Sequence, residues 1–305
     1  MDLDKACKDI RSMKIQGAIN VAKKGAQALF DHSEEMKFIE VNKKINLLRK
    51  AAEKLIDTRP TEPALRNALA YYFSNINKTS NKTLHNHLHL KYNDIMNHFK
   101  EAESRIVKFG AKKIKDGMIV YTHCHSSTVC NILIRAKEEG RNFEVYNTET
   151  RPLYQGRMTA KELAKAGIKV THFVDSAARH AIKKADIVLL GADAITTTKV
   201  YNKIGSEIFS MVAHELDVPV FCCADSWKFD PDSIEGFDEE IEKRMGEEVW
   251  PNAPKNVEIY NYAFDKISPE YITGIISDLG VYNHSIFVEE AHKTIGATLK
   301  GSGLL

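Results

Sequence analysis

The chain has 305 residues, 43% of them hydrophobic and 28% charged, with a net charge of +2. That length exceeds what one compact core usually holds, and a small charge without a long run of one sign argues against a broad basic surface for nucleic acid. The longest apolar runs, such as ADIVLLGADAI, are too short to cross a bilayer, and the N-terminal MDLDKACKDIRSMK is too charged for a secretory signal, so neither membrane insertion nor export is expected.

The five cysteines, Cys7, Cys124, Cys130, Cys222 and Cys223, show no framework spacing and fit free thiols in a reducing, cytoplasmic compartment. The first hundred or so residues carry helical periodicity. GAINVAKKGAQALF sets Ile19, Ala22, Ala26, Leu29 and Phe30 on one stripe. EEMKFIEVNKKINLLRKAAEKLI continues with Phe38, Val41, Ile45, Leu48, Ala52 and Leu55 as a second helix. TRPTEPALRNALAYYF starts a third, with Pro60 and Pro63 near its first turn, and LHLKYNDIMNHFKEAESRIVKFGAKKI is a long fourth. The histidines of HNHLHL (His85, His87 and His89) read as a solvated or interfacial loop, since no cysteine or carboxylate completes a metal spacing.

From about residue 117 short β-rich runs alternate with helical stretches. The runs are 118–124, 143–149, 169–175, 186–193, 218–225 and 257–265; helices are expected at 128–139, 159–166, 176–184 and 205–216, with TAKE (159–162) as a capping box. Such alternation predicts an α/β protein: a helical N-terminal domain over 1–112, then a Rossmann-like parallel-sheet catalytic domain over 113–305.

In such sheets ligands bind beyond the carboxyl ends of the strands. Those ends offer Cys124, Glu149, Asp175, Asp193, Asp225 and Asp265. Cys124 precedes HSST, where a new helix begins, and a helix N-terminus favours both a thiolate and a phosphate. Strand alternation sets His123 and His125 on the face away from Cys124, so no metal is expected there. Asp193 follows an apolar strand and is expected to carry a raised pKa, as a general acid needs. Donors suited to phosphate lie at Arg59, Arg151, Gln155, Asn202, Lys203 and Lys228. There is no G-x-G-x-x-G after the first strand and no P-loop, so no cofactor is expected.

THCHSS, ETRPLYQGR, DSAARHAIKKADIVLLGADAI, NKIGS and ADSWKFDP, taken in order, resemble the sugar-phosphate isomerase and translation initiation factor 2B family from about Met13 to about residue 285. Within it the chain looks most like the archaeal ribose-1,5-bisphosphate isomerase branch, with methylthioribose-1-phosphate isomerases as cousins. The resemblance implies an aldose–ketose isomerase of nucleoside monophosphate salvage acting on a phosphorylated pentose. It implies a homo-oligomer, commonly a hexamer built from dimers, and a nucleotide (AMP) effector. It places a catalytic pair on Cys124 and Asp193. Substrate contacts fall on Gln16, Gly17, Ala18, Ile19, Arg59, Ser126, Ser127, Thr128, Asn202, Lys203 and Lys228. Regulatory subunits of the translation factor typically lack the cysteine, so the pair favours an enzyme over a binding subunit. One departure stands out: MKIQGA carries Gln16 where the family usually has a phosphate-binding Arg.

Overall fold

A computed structural model describes residues 2–76, 80–239 and 241–298. Five helices come first: α1 (Leu3–Arg11), α2 (Ala18–Glu35), α3 (Val41–Ile56), α4 (Pro63–Phe73) and α5 (Asn81–Ala111). The expected second helix begins later than its apolar stripe suggests. Glu40 accepts hydrogen bonds from the N–H groups of Asn42 and Lys43 at 2.9 Å, which caps α3 at Val41 and leaves Phe38 in the preceding turn, 99% exposed. Ser80 likewise caps α5, so HNHLHL lies within a helix and not in the expected loop. Its histidines are spread around that helix: His87 meets Ser74 O at 3.1 Å, His85 pairs with Glu34 at 2.9 Å and His89 packs edge-on to Phe30.

The remaining chain winds a sheet from β1 (Ile119–Thr122), β2 (Glu144–Thr148), β3 (Lys169–Phe173), β4 (Ile187–Gly191), β7 (Val220–Cys223), β9 (Gly274–Ser277) and β10 (Gly280–Tyr282). The spatial order is β10-β9-β7-β4-β1-β2-β3, parallel except for β10. The chain therefore runs outward from β1 to β3, then returns and runs outward from β4 on the other side. That places a topological switch between β1 and β4.

Helices α6 (Ser127–Glu138), α7 (Gln155–Lys165), α8 (Ala178–Ile182), α9 (Ser206–Glu215) and α10 (His284–Thr298) cover the sheet. The strands are apolar on both sides: Tyr121, Leu190 and Cys222 join one core cluster, Val120, Leu189 and Cys223 the other. The first cluster continues into the N-terminal helices, and α5 reaches both through Phe99 and Ile106. No helix among the described residues is long and apolar enough to cross a membrane.

Three local expectations differ from the structure. The run 257–265 is irregular until Phe264, where β8 (Phe264–Ile267) pairs with β6 (Val200–Lys203). With β5 (Ala194–Ile195) these form a separate antiparallel sheet in the order β5-β6-β8, so Asp265 does not end a strand of the main sheet. Helix α7 starts at Gln155, four residues early, and Thr159 donates to Cys124 O at 2.8 Å in place of capping a helix.

Candidate active site

Beyond the carboxyl ends of β1 and β4 lies a cavity of about 210 Å³. Its wall gathers Gln16, Gly17, Ala18 and Ile19 from the start of α2, and Arg59 from the turn before α4. Cys124, Ser126, Ser127 and Thr128 come from β1 and the start of α6; Asp193 follows β4. Asn202 and Lys203 end β6, and Lys228 comes from the turn after β7. Two helix N-termini thus face one space, and Gly17 permits the first of them, since its φ of +84° is the left-handed conformation. At Gly191 a Cβ would lie 3.0 Å from the Ser126 side chain, so glycine lets the β1–α6 loop close against β4.

Cys124 itself has φ +65°, a conformation costing about 1–3 kcal/mol in a non-glycine residue. Two threonines hold it there. Its N–H donates to Thr150 Oγ1 at 3.0 Å, and its carbonyl accepts from Thr159. Strand alternation ends at Thr122, so the face assignment of the histidines holds only in part. His123 turns into the core, bonded to Thr148 Oγ1 at 2.7 Å and Ile204 O at 2.9 Å. Burial lowers its pKa to about 4, which keeps it neutral. His125 lines the cavity beside Cys124 and contacts Thr159 at 3.1 Å. Burial lowers its pKa as well.

Burial pushes the Cys124 thiol up to about 11, against the pull of Lys203 and the His125 N–H. The expected thiolate is therefore not the resting form: the helix start behind Cys124 does not offset desolvation in this closed setting. Asp193 matches its expectation. Burial raises its pKa, opposed by Lys228, Arg59 and Lys203.

Four cations, Arg59, Lys203, Lys228 and Arg244, face three carboxyls, Glu62, Asp193 and Glu242. Glu62, Glu242 and Arg244 escaped sequence reasoning. Glu62 sits one turn from Arg59, and its Oε1 accepts from Arg59 Nη2 at 2.8 Å. Glu242 pairs with Arg59 at 3.5 Å and with Arg244 at 2.9 Å, from a loop whose sequence carries no periodic signal. Of the expected phosphate donors, Gln155 lines the cavity but Arg151 does not; Arg151 bonds Tyr154 Oη at 2.6 Å and Val249 O at 3.1 Å on the surface.

The other strand-end acids serve the scaffold. Asp175 accepts from the Thr150 and Arg151 N–H groups, Asp225 from Trp227 N–H, and Asp265 from Gly205 and Glu207 N–H. Glu149 pairs with Arg157 at 3.2 Å.

In doubly wound sheets the switch point is where ligands bind, and here helix N-termini, cations and buried carboxyls converge on it. Residues 14–284 match the initiation factor 2 subunit family, and the chain belongs to it. It is 38% identical to ribose 1,5-bisphosphate isomerase of Thermococcus kodakarensis over 302 residues, 95% of this chain and 94% of that one. It is 41% identical to ribose 1,5-bisphosphate isomerase of Pyrococcus furiosus over 287 residues, 89% of this chain and 87% of that one. Among solved structures, the translation initiation factor eIF-2B of Pyrococcus horikoshii superposes with a TM-score of 0.80 at 30% identity, covering 92% of this chain and 96% of that one.

Proposed function

We propose that the protein is an aldose–ketose isomerase that converts ribose 1,5-bisphosphate to ribulose 1,5-bisphosphate, the activity for which its relatives are named, in nucleoside monophosphate salvage. The observation that carries this reading is the placement of Cys124 and Asp193 at the ends of neighbouring strands, on one cavity, among four cations and two helix N-termini. A doubly phosphorylated sugar matches that wall: its phosphates suit the donors, and its ring suits a protonated acid beside a sulfur. Gln16 to Ile19, Ser126 to Thr128, Arg59, Asn202, Lys203 and Lys228 are proposed as the substrate contacts.

Protonated Asp193 gives its proton to the ring oxygen as the C1–O bond breaks, which leaves an electron-poor C1. Cys124, as thiolate, takes the proton from C2, and the C2–H electron pair becomes the C1=C2 bond of an enol phosphate. Asp193, now a carboxylate, accepts the C2 hydroxyl proton while the Cys124 thiol returns a proton to C1. Both groups end as they began. The raised thiol pKa makes a competing route relevant, in which C2–H moves to C1 as hydride and Cys124 stays neutral. Deuterium at C2 separates them. Exchange with solvent supports the thiolate; full retention at C1 counts against it.

Parallel assays with ribose 1,5-bisphosphate and methylthioribose 1-phosphate test the substrate. Turnover of the latter alone overturns the bisphosphate reading, and an inert protein that binds a translation factor supports a regulatory subunit.

Gln16 is exposed and its amide donates to Met13 O at 2.8 Å, so an uncharged donor stands at the mouth. Gln16→Arg is expected to lower the KM about fivefold, the difference of about 1 kcal/mol between a neutral and a charge-assisted hydrogen bond. An unchanged KM would remove Gln16 from the phosphate contacts.

A homohexamer built from dimers, responsive to AMP, completes the proposal. Sedimentation should give six copies; a monomer at micromolar concentration contradicts it.

A further inference from the structure

The turn over residues 59–62 is unusual for its unmet polar atoms. Thr61 Oγ1 and Glu62 Oε2 are buried without a hydrogen bond, and Arg59 Nε has only its 3.5 Å ion pair with Glu242. Arg59 and Glu62 line the cavity, as does Gln155, whose Oε1 is also unmet. An unmade hydrogen bond at a buried atom costs about 1–3 kcal/mol, so atoms left this way around a cavity are suited to a ligand's polar groups.

Glu62 is the most constrained of them. It is 1% exposed, and Arg59 fixes its Oε1, which leaves Oε2 for a ligand. The charged groups that face it are Arg59 on its own turn, Asp193 after β4, Lys228 after β7 and Glu242 from the 241–249 loop. Burial is the largest cause pushing its pKa up to about 8, so at neutral pH it holds its proton. With Oε1 accepting from Arg59, the proton sits on Oε2, which can both donate and accept. A sugar hydroxyl, able to donate and to accept, is the complementary group.

We propose that Glu62 contacts the substrate, with Oε2 hydrogen-bonded to the 3-hydroxyl of the pentose, and so determines specificity for that hydroxyl. This rests on the isomerase reading. Closed ribose 1,5-bisphosphate has free hydroxyls only at C2 and C3, and the one at C2 becomes the ketone.

The test is a cycle of two substrates, ribose 1,5-bisphosphate and its 3-deoxy analogue, against wild type, Glu62→Gln and Glu62→Leu. Loss of the hydroxyl should lower wild-type kcat/KM about 10- to 100-fold, mostly through KM. Glu62→Leu should treat both sugars alike within about threefold, and Glu62→Gln should keep most of the discrimination, because its amide still bonds both Arg59 and the hydroxyl. Equal discrimination by Glu62→Leu and wild type overturns the proposal, as does a wild type indifferent to the hydroxyl. If Glu62→Leu does not fold, Glu62→Ala takes its place. If wild type turns over neither sugar, the isomerase reading fails separately, and the same cycle is read as Kd by calorimetry with the same criteria; binding of neither sugar overturns the contact too.

Discussion

Cys124→Ala is expected to lower kcat for ribose 1,5-bisphosphate by about 10²- to 10⁴-fold, the range for loss of a positioned proton-transfer group, with KM little changed. The expectation follows from place and restraint. Cys124 lines the cavity at the end of β1, its strained backbone held at both polar atoms by Thr150 and Thr159. Those bonds use main-chain atoms, so alanine leaves them intact and fold stability should stay within about 1 kcal/mol. Cys124→Ser sharpens the result. A hydroxyl is a far weaker acid than a thiol already raised to about 11, so a serine base fails as alanine does. If Cys124→Ser instead keeps most of the activity, the neutral side chain suffices and the hydride route holds. Melting temperatures and steady-state kinetics on both variants decide it.

Asp193→Asn should cost about 10²- to 10⁴-fold in kcat as well, because an amide cannot protonate the ring oxygen. Its pH dependence carries the more specific signature. The active form needs Asp193 protonated and Cys124 deprotonated, although burial raises the pKa of both. Below the Asp193 pKa, kcat should rise with pH as thiolate accumulates. Above it, loss of the acid offsets gain of thiolate, so the profile flattens until about 11, beyond which little more thiolate forms, and then falls. In Asp193→Asn the flat region should vanish and the residual rate should climb throughout. A wild-type profile that climbs throughout, as expected of Asp193→Asn, with no flat region, would contradict Asp193 as the acid.

Much of this architecture could be read from residue types, for identifiable reasons. Strands such as ADIVLLGAD are buried on both faces, so their apolar runs stand out, and the strand-end rule then offers six residues, Cys124 and Asp193 among them, from which the family resemblance picks the pair. Signals failed where local pattern and tertiary context disagree. Phe38 continues a helical stripe, yet Glu40 caps the next helix and leaves it in solvent. Thr159 and Glu162 have capping-box spacing, but Tyr154 starts α7 earlier and Thr159 is used on Cys124. Glu242 and Arg244 reach the cavity from an irregular loop, where no periodicity marks a residue for a site. Glu62 was hidden for a different reason: carboxyls beside arginines on a helix start are usually surface pairs, and only burial shows otherwise.

The most direct measurement is a time course of purified protein with ribose 1,5-bisphosphate labelled with carbon-13 at C1, followed by NMR. Isomerisation predicts that the anomeric C1 signal is replaced by that of a phosphorylated CH₂ beside a ketone, in wild type and not in Cys124→Ala or Asp193→Asn. An anomeric signal that persists unchanged with wild type, or one that disappears equally fast with both variants, would contradict isomerisation by this pair.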